Sequence, residues 1–106
     1  MHIRARRRSI DFDGRKITLK IAVKYGVSGS DRKYEFPVRS LTGFHHQQAT
    51  AWKRGRLEFT APALSSAIVT DVPLFADKLP GNVFEYGYGD EKRVSAFVAA
   101  VNKARG

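Results

Sequence analysis

The 106-residue sequence has no cysteine. That absence excludes disulfide staples, thiolate metal sites, iron–sulfur clusters and cysteine nucleophiles together. It fits a reducing compartment, with the cytoplasm as the expected location. No apolar run approaches the ~20 residues of a membrane span. The basic start MHIRARRRSI is not followed by an apolar stretch of signal-peptide length, so no targeting segment is expected either. Tryptophan and methionine occur once each and proline four times. Acidic residues are few: 10 Asp plus Glu stand against 19 Lys plus Arg, for a formal charge of +9.

What is present suffices for one hydrophobic core. At this length a single domain is the default. A hydrophobic content of 42%, with 11% aromatic, supports folding without metal or covalent staples and argues against disorder of the whole chain. The charge is uneven. Residues 1–24 carry eight basic and two acidic groups, a net +6. Residues 25–60 add +3, and residues 61–106 are neutral overall.

Asp13-Gly14 between two strand-like runs predicts a two-residue hairpin turn, because a turn with φ > 0 at both centres selects Asn or Asp followed by Gly. The second arm alternates, with Ile17, Leu19, Ile21, Val23 and Tyr25 on one face and Lys16, Thr18, Lys20, Ala22 and Lys24 on the other. The first arm conflicts with this pattern, since pairing Phe12 with Arg15 brings Arg8 and Arg6 onto the apolar face. A bulge near Ser9 or a strand that begins there resolves the conflict. Residues 1–8 are therefore read as a basic arm or edge strand, and 9–106 as the domain.

Beyond a turn at Gly26-Val27-Ser28-Gly29-Ser30-Asp31, Tyr34, Phe36 and Val38 recur at period two and define a third strand. Pro37 on its polar face points to a sheet edge or a bulge. Residues 41–51 read as a fourth strand or extended arm, and Leu57 and Phe59 mark a fifth. A sixth is expected over 66–72, then a loop over 73–81. A seventh spans 82–88, with Phe84, Tyr86 and Tyr88 on one face. Asp90 as N-cap, followed by Val94, Phe97, Val98 and Val101, predicts an amphipathic helix over 90–104. The expected fold is mainly β, a small sandwich or barrel of about seven strands with one C-terminal helix.

That element order, with Phe12-Asp13-Gly14, Glu35-Phe36-Pro37-Val38-Arg39-Ser40-Leu41, Gly55-Arg56-Leu57-Glu58-Phe59 and Asn82-Val83-Phe84-Glu85-Tyr86, resembles a bacterial pleckstrin-homology-like domain of unknown function. The resemblance covers the chain from Ser9 onward and implies a pleckstrin-homology-like fold, a bent antiparallel sandwich with the helix plugging one open corner. In phosphoinositide-binding relatives, basic groups line a longer loop between the first two strands. Here that link is a tight turn bearing an acid, so the resemblance implies no inositol-phosphate site.

No constellation for catalysis stands out. The serines lack an elbow motif, the glycines lack a phosphate-loop signature, and no paired carboxylates have suggestive spacing. His45 and His46 are adjacent on a strand and point to opposite faces, so one is expected at the core rim and the other in solvent. Neither metal, cofactor nor small-molecule substrate is expected. Arg6, Arg7, Arg8, Arg15, Lys16, Lys20 and Lys24 form a candidate contact face, for which the alternative is a solvated strand face that discourages aggregation. Trp52 is a candidate anchor, for which the alternative is that it folds back over an open end of the barrel. These features lead to the expectation of a non-catalytic binding or scaffold module that mediates protein–protein interaction, with its basic N-terminal face turned to an acidic partner. The alternative is nucleic-acid or anionic-membrane binding, and open sheet edges also allow two copies to pair.

Overall fold

The computed structural model describes residues 1–5, 7–21, 32–64 and 81–106 of the chain. It is a mainly β sandwich with one C-terminal helix. The first sheet is an antiparallel meander of β1 (His2–Ala5), β2 (Arg8–Phe12), β3 (Lys16–Ile21) and β4 (Arg32–Pro37), paired in that order. The second is a meander of β5 (Gly43–Gln47), β6 (Gly55–Thr60) and β7 (Val83–Tyr86). Helix α1 (Glu91–Arg105) follows, one residue displaced from the expected span at each end.

Alternation built these strands as expected. In β3 the inward Ile17, Leu19 and Ile21 are buried, while Lys16 and Lys20 are exposed. Pro37 is exposed at the end of β4, an edge strand, where its missing N–H removes no ladder bond on a central strand. Leu57 and Phe59 on β6 are fully buried, as are Phe84 and Tyr86 on β7. The helix contributes Val94, Phe97 and Val101, each 0% exposed. Burying such a side chain is worth roughly 1.5–3 kcal/mol.

The first hairpin differs from expectation in register. Phe12 pairs with Ile17, Ile10 with Leu19 and Arg8 with Ile21, so the two-residue loop is Gly14-Arg15 rather than Asp13-Gly14. Gly14 has φ +100°, the backbone that a type II′ turn requires at its first centre. The Asp13 carboxylate accepts the backbone N–H groups of Arg15 and Lys16 at 2.8 and 2.7 Å, an Asx turn that fixes the loop one residue later. These bonds hold the Asp13 carboxyl below its ordinary range.

A shift of two residues leaves every side chain on its expected face, so Arg8 does point inward. Neither a bulge nor a late start relieves it. Arg8 belongs to β2, and its guanidinium Nη1 donates to the carbonyl of Val83 on the other sheet at 2.7 Å. The segment before it forms the edge strand β1, with Ile3 opposite Ile10 in the core.

Three further expectations change. Val38 is buried but lies in a short 3₁₀ turn, Val38–Ser40, beyond the end of β4. β7 stops at Tyr86; Gly87 is extended, and a 3₁₀ turn, Tyr88–Asp90, redirects the chain into α1, which leaves Tyr88 exposed. Asp90 caps the helix by position only, because its carboxylate pairs with Arg93 instead of the backbone. The turn at 26–31, the strand at 66–72 and most of the 73–81 loop lie outside the described residues.

Candidate functional site

Antiparallel register turns the outward face of the first sheet into transverse rows of side chains. Arg4 pairs with Ser9, Ser9 with Lys20 and Lys20 with Lys33, so these four residues form one row across all four strands. At about 4.8 Å between neighbouring strands the row spans ~14 Å. The next row, two residues along, is His2, Asp11, Thr18 and Glu35. Between them lies an open concavity of about 310 Å³ lined by His2, Ser9, Asp11, Thr18, Lys20 and Lys33.

The two rows differ in electrostatic commitment. Glu35 accepts from Lys16 at 2.6 Å and from Lys33 at 3.0 Å, which depresses its own carboxyl and raises the Lys16 ammonium through the same contact. Asp11 has His2 at 3.6 Å. Arg4 and Lys20 are exposed and meet no carboxylate among the described residues. Lys20 also stands directly opposite Lys33, a like-charge pair that a sheet tolerates at some cost. This row therefore holds positive charge that the fold does not neutralise.

The residues singled out from sequence distribute unevenly around this face. Lys16 and Lys20 lie on it, with Lys16 already paired to Glu35. Arg7 and Arg15 are exposed in the turns at opposite ends of the first two hairpins. Arg8 is 6% exposed and spans the sandwich, so its charge serves the interior. Arg6 and Lys24 lie outside the described residues. Trp52 is not on this sheet. It is 95% exposed in the β5–β6 turn and does not fold back over the barrel. Arg4, Ser9 and Lys33 were missed as contact residues, because only the pairing of β1 with β2 and of β3 with β4 aligns them with Lys20.

A second polar cluster ties the helix start to the second sheet. His46 Nε2 is 2.8 Å from the Tyr86 hydroxyl, which donates to Glu91 Oε1 at 2.7 Å. The Ala49 N–H donates to the same oxygen at 2.5 Å, and Ser95 Oγ donates to Oε2 at 2.6 Å. His46 thus sits at the core rim and His45 in solvent, as alternation requires. Burial opposes ionisation of Glu91, but the Ser95, Tyr86 and Ala49 donors prevail and hold its carboxyl below the ordinary range. Burial, then the Glu91 contact, push the Tyr86 phenol well above its ordinary value. A carboxylate that accepts three hydrogen bonds from three segments acts as a structural anchor.

The sign of each shift gives a pH profile. A depressed carboxyl contributes stability that is present above its ordinary value of 4.5 and is lost as pH falls below it. A raised phenol contributes stability that is present below its ordinary value of 10.0 and is lost as pH rises above it. Thermal melts across pH are expected to show a plateau between these limits and decline on both sides. In Glu91→Gln the acid-side decline should shrink; an unchanged acid limb would remove Glu91 from the account.

In comparisons with known proteins, no protein-family model, curated protein or solved structure matches the chain. Among the described residues no helix is long and apolar enough to cross a membrane, and no group of three or more His, Cys, Asp or Glu is placed to hold a metal ion.

Proposed function

We propose that the chain is a non-catalytic binding module of the cytoplasm, whose first sheet docks an acidic protein surface through the Arg4–Ser9–Lys20–Lys33 row. The observation that carries this reading is the row itself: three cations and a serine aligned across four strands, two of the cations without a carboxylate partner among the described residues, beside an open concavity. Exposed charge aligned in this way steers encounter and fixes register more than it adds raw affinity.

The adjoining row favours an acidic protein segment over an extended anionic surface. Asp11 and Glu35 lie one row away from Arg4 and Lys33, and among the described residues these rows hold no Phe, Tyr or Trp. A DNA duplex or an anionic bilayer spreads its charge over an area and would meet those carboxylates at any position along the face, whereas an extended acidic segment can lie over one row and leave the next.

The test is binding of an acidic peptide, polyglutamate of about ten residues, at ~0.15 M salt, where only charges within ~8 Å act strongly. Saturable binding is expected, reduced tenfold or more in Arg4→Glu/Lys20→Glu, with the melting temperature almost unchanged because both side chains are exposed. Duplex DNA and phosphatidylserine vesicles should show no comparable sensitivity to that pair. Peptide binding that ignores the double reversal, or no peptide binding at all, would contradict the proposal.

A further inference from the structure

The far end of the second sheet presents a different chemistry. The link between β5 and β6 closes as a tight turn: Thr50 N–H donates to the Lys53 carbonyl at 2.8 Å, Lys53 N–H donates back at 3.3 Å, and Trp52 N–H reaches the Thr50 hydroxyl at 3.3 Å. This closed turn holds Trp52 outward at 95% exposure. Gly55 pairs with Tyr86, so Trp52 and Lys53 before β6 and Tyr88 after β7 leave the sheet at the same end. Tyr88 is 61% exposed. Two exposed aromatics thus stand on the segments that leave two neighbouring strands at one end of this sheet.

Cations interleave with them. Lys53, Arg54 and Arg56 follow Trp52 in sequence, and Lys92 and Arg93 follow Tyr88. The local acids are already engaged: Glu85 holds Arg54 at 3.1 Å, Asp90 pairs with Arg93, and Glu91 is turned inward under Ala49, Tyr86 and Ser95. Lys53 and Lys92 are exposed and form no ion pair among the described residues. Among the described residues the exposed positions beside the two aromatics in sequence include Gln48, Thr50, Ala51, Lys53, Gly89 and Lys92, which interrupt the continuous apolar rim that a hydrophobic protein partner would need.

We infer that this end of the second sheet binds single-stranded nucleic acid, with bases stacking on Trp52 and Tyr88 and Lys53 and Lys92 facing the phosphates. Aromatic faces accept any base, and flanking cations follow the backbone. The site lies on the other sheet from the acidic-partner face and rests on separate residues, so either can fail without the other.

Trp52 is the sole tryptophan, so its emission reports this site alone. Titration with ~15-nucleotide poly-dT or poly-U is expected to quench Trp52 emission saturably, with affinity falling steeply as salt rises. A duplex of equal length, whose bases are already stacked, should not quench. By anisotropy of a labelled strand, Trp52→Ala and Tyr88→Ala should each bind about fivefold or more weakly with unchanged melting temperature. The inference is overturned if the oligonucleotides leave the emission unchanged. It is equally overturned if both variants bind like wild type, or if the emission moves only with phosphatidylserine vesicles.

Discussion

Gly55→Ala is expected to destabilise the fold by about 3 kcal/mol or more. A Cβ built on Gly55 lies 2.1 Å from the Tyr86 Cζ and 2.5 Å from its Cε2 and hydroxyl oxygen. The smallest side chain thus collides with a ring that is itself 0% exposed and has nowhere to go. Overpacking of this kind costs roughly 1–3 kcal/mol. If the ring tilts away, its hydroxyl abandons His46 and Glu91, adding about 1.5–3 kcal/mol for a charge-assisted bond. At 4–8 °C per kcal/mol for a domain of this size, the melting temperature should drop by ~12 °C or more. A double-mutant cycle isolates the cause: in a Tyr86→Ala background the same glycine substitution should cost little. A similar penalty in both backgrounds would show that the glycine matters for another reason.

Phe97→Asp is expected to abolish cooperative folding. Phe97 is fully buried in the middle of α1 and meets Phe12 of the first sheet edge-on, with ring centroids 6.3 Å apart. Removing the ring alone costs about 3–5 kcal/mol. An unpaired carboxylate in its place adds several more, against a total stability on the order of 5–15 kcal/mol. The variant should lose its near-ultraviolet circular dichroism and its thermal transition, while Phe97→Leu keeps both. A cooperative melt in Phe97→Asp within a few degrees of wild type would contradict the packing described for the helix.

Where burial follows period, the sequence was a sufficient guide. Ile17, Leu19 and Ile21, then Leu57 and Phe59, then Val94, Phe97 and Val101 announce two strands and a helix, because each needs only its own near neighbours to reveal a face. The first hairpin resisted for two reasons. The Asx turn at Asp13 moved the loop by one residue, and the inward Arg8 broke the apolar pattern. Its compensation, the Val83 carbonyl, lies 75 positions away, and no local pattern announces it.

The same limit applied to the candidate faces. A lysine stripe on β3 was legible, yet the row that crosses it at Lys20 exists only once β1, β2 and β4 are in register. Glu35 then removes Lys16 and Lys33 from full availability, a pairing across strands that net charge conceals. Trp52 was recognised by residue type alone; its pairing with Tyr88 at one end follows from the Gly55–Tyr86 register.

The most direct test of the acidic-partner face is an amide chemical-shift titration of the full chain with polyglutamate. Shifts are expected to saturate together and to centre on Arg4, Ser9, Thr18, Lys20 and Lys33, while the amides around Trp52 and Tyr88 stay still. Shifts scattered over all exposed cations, or centred away from the first sheet, would contradict it.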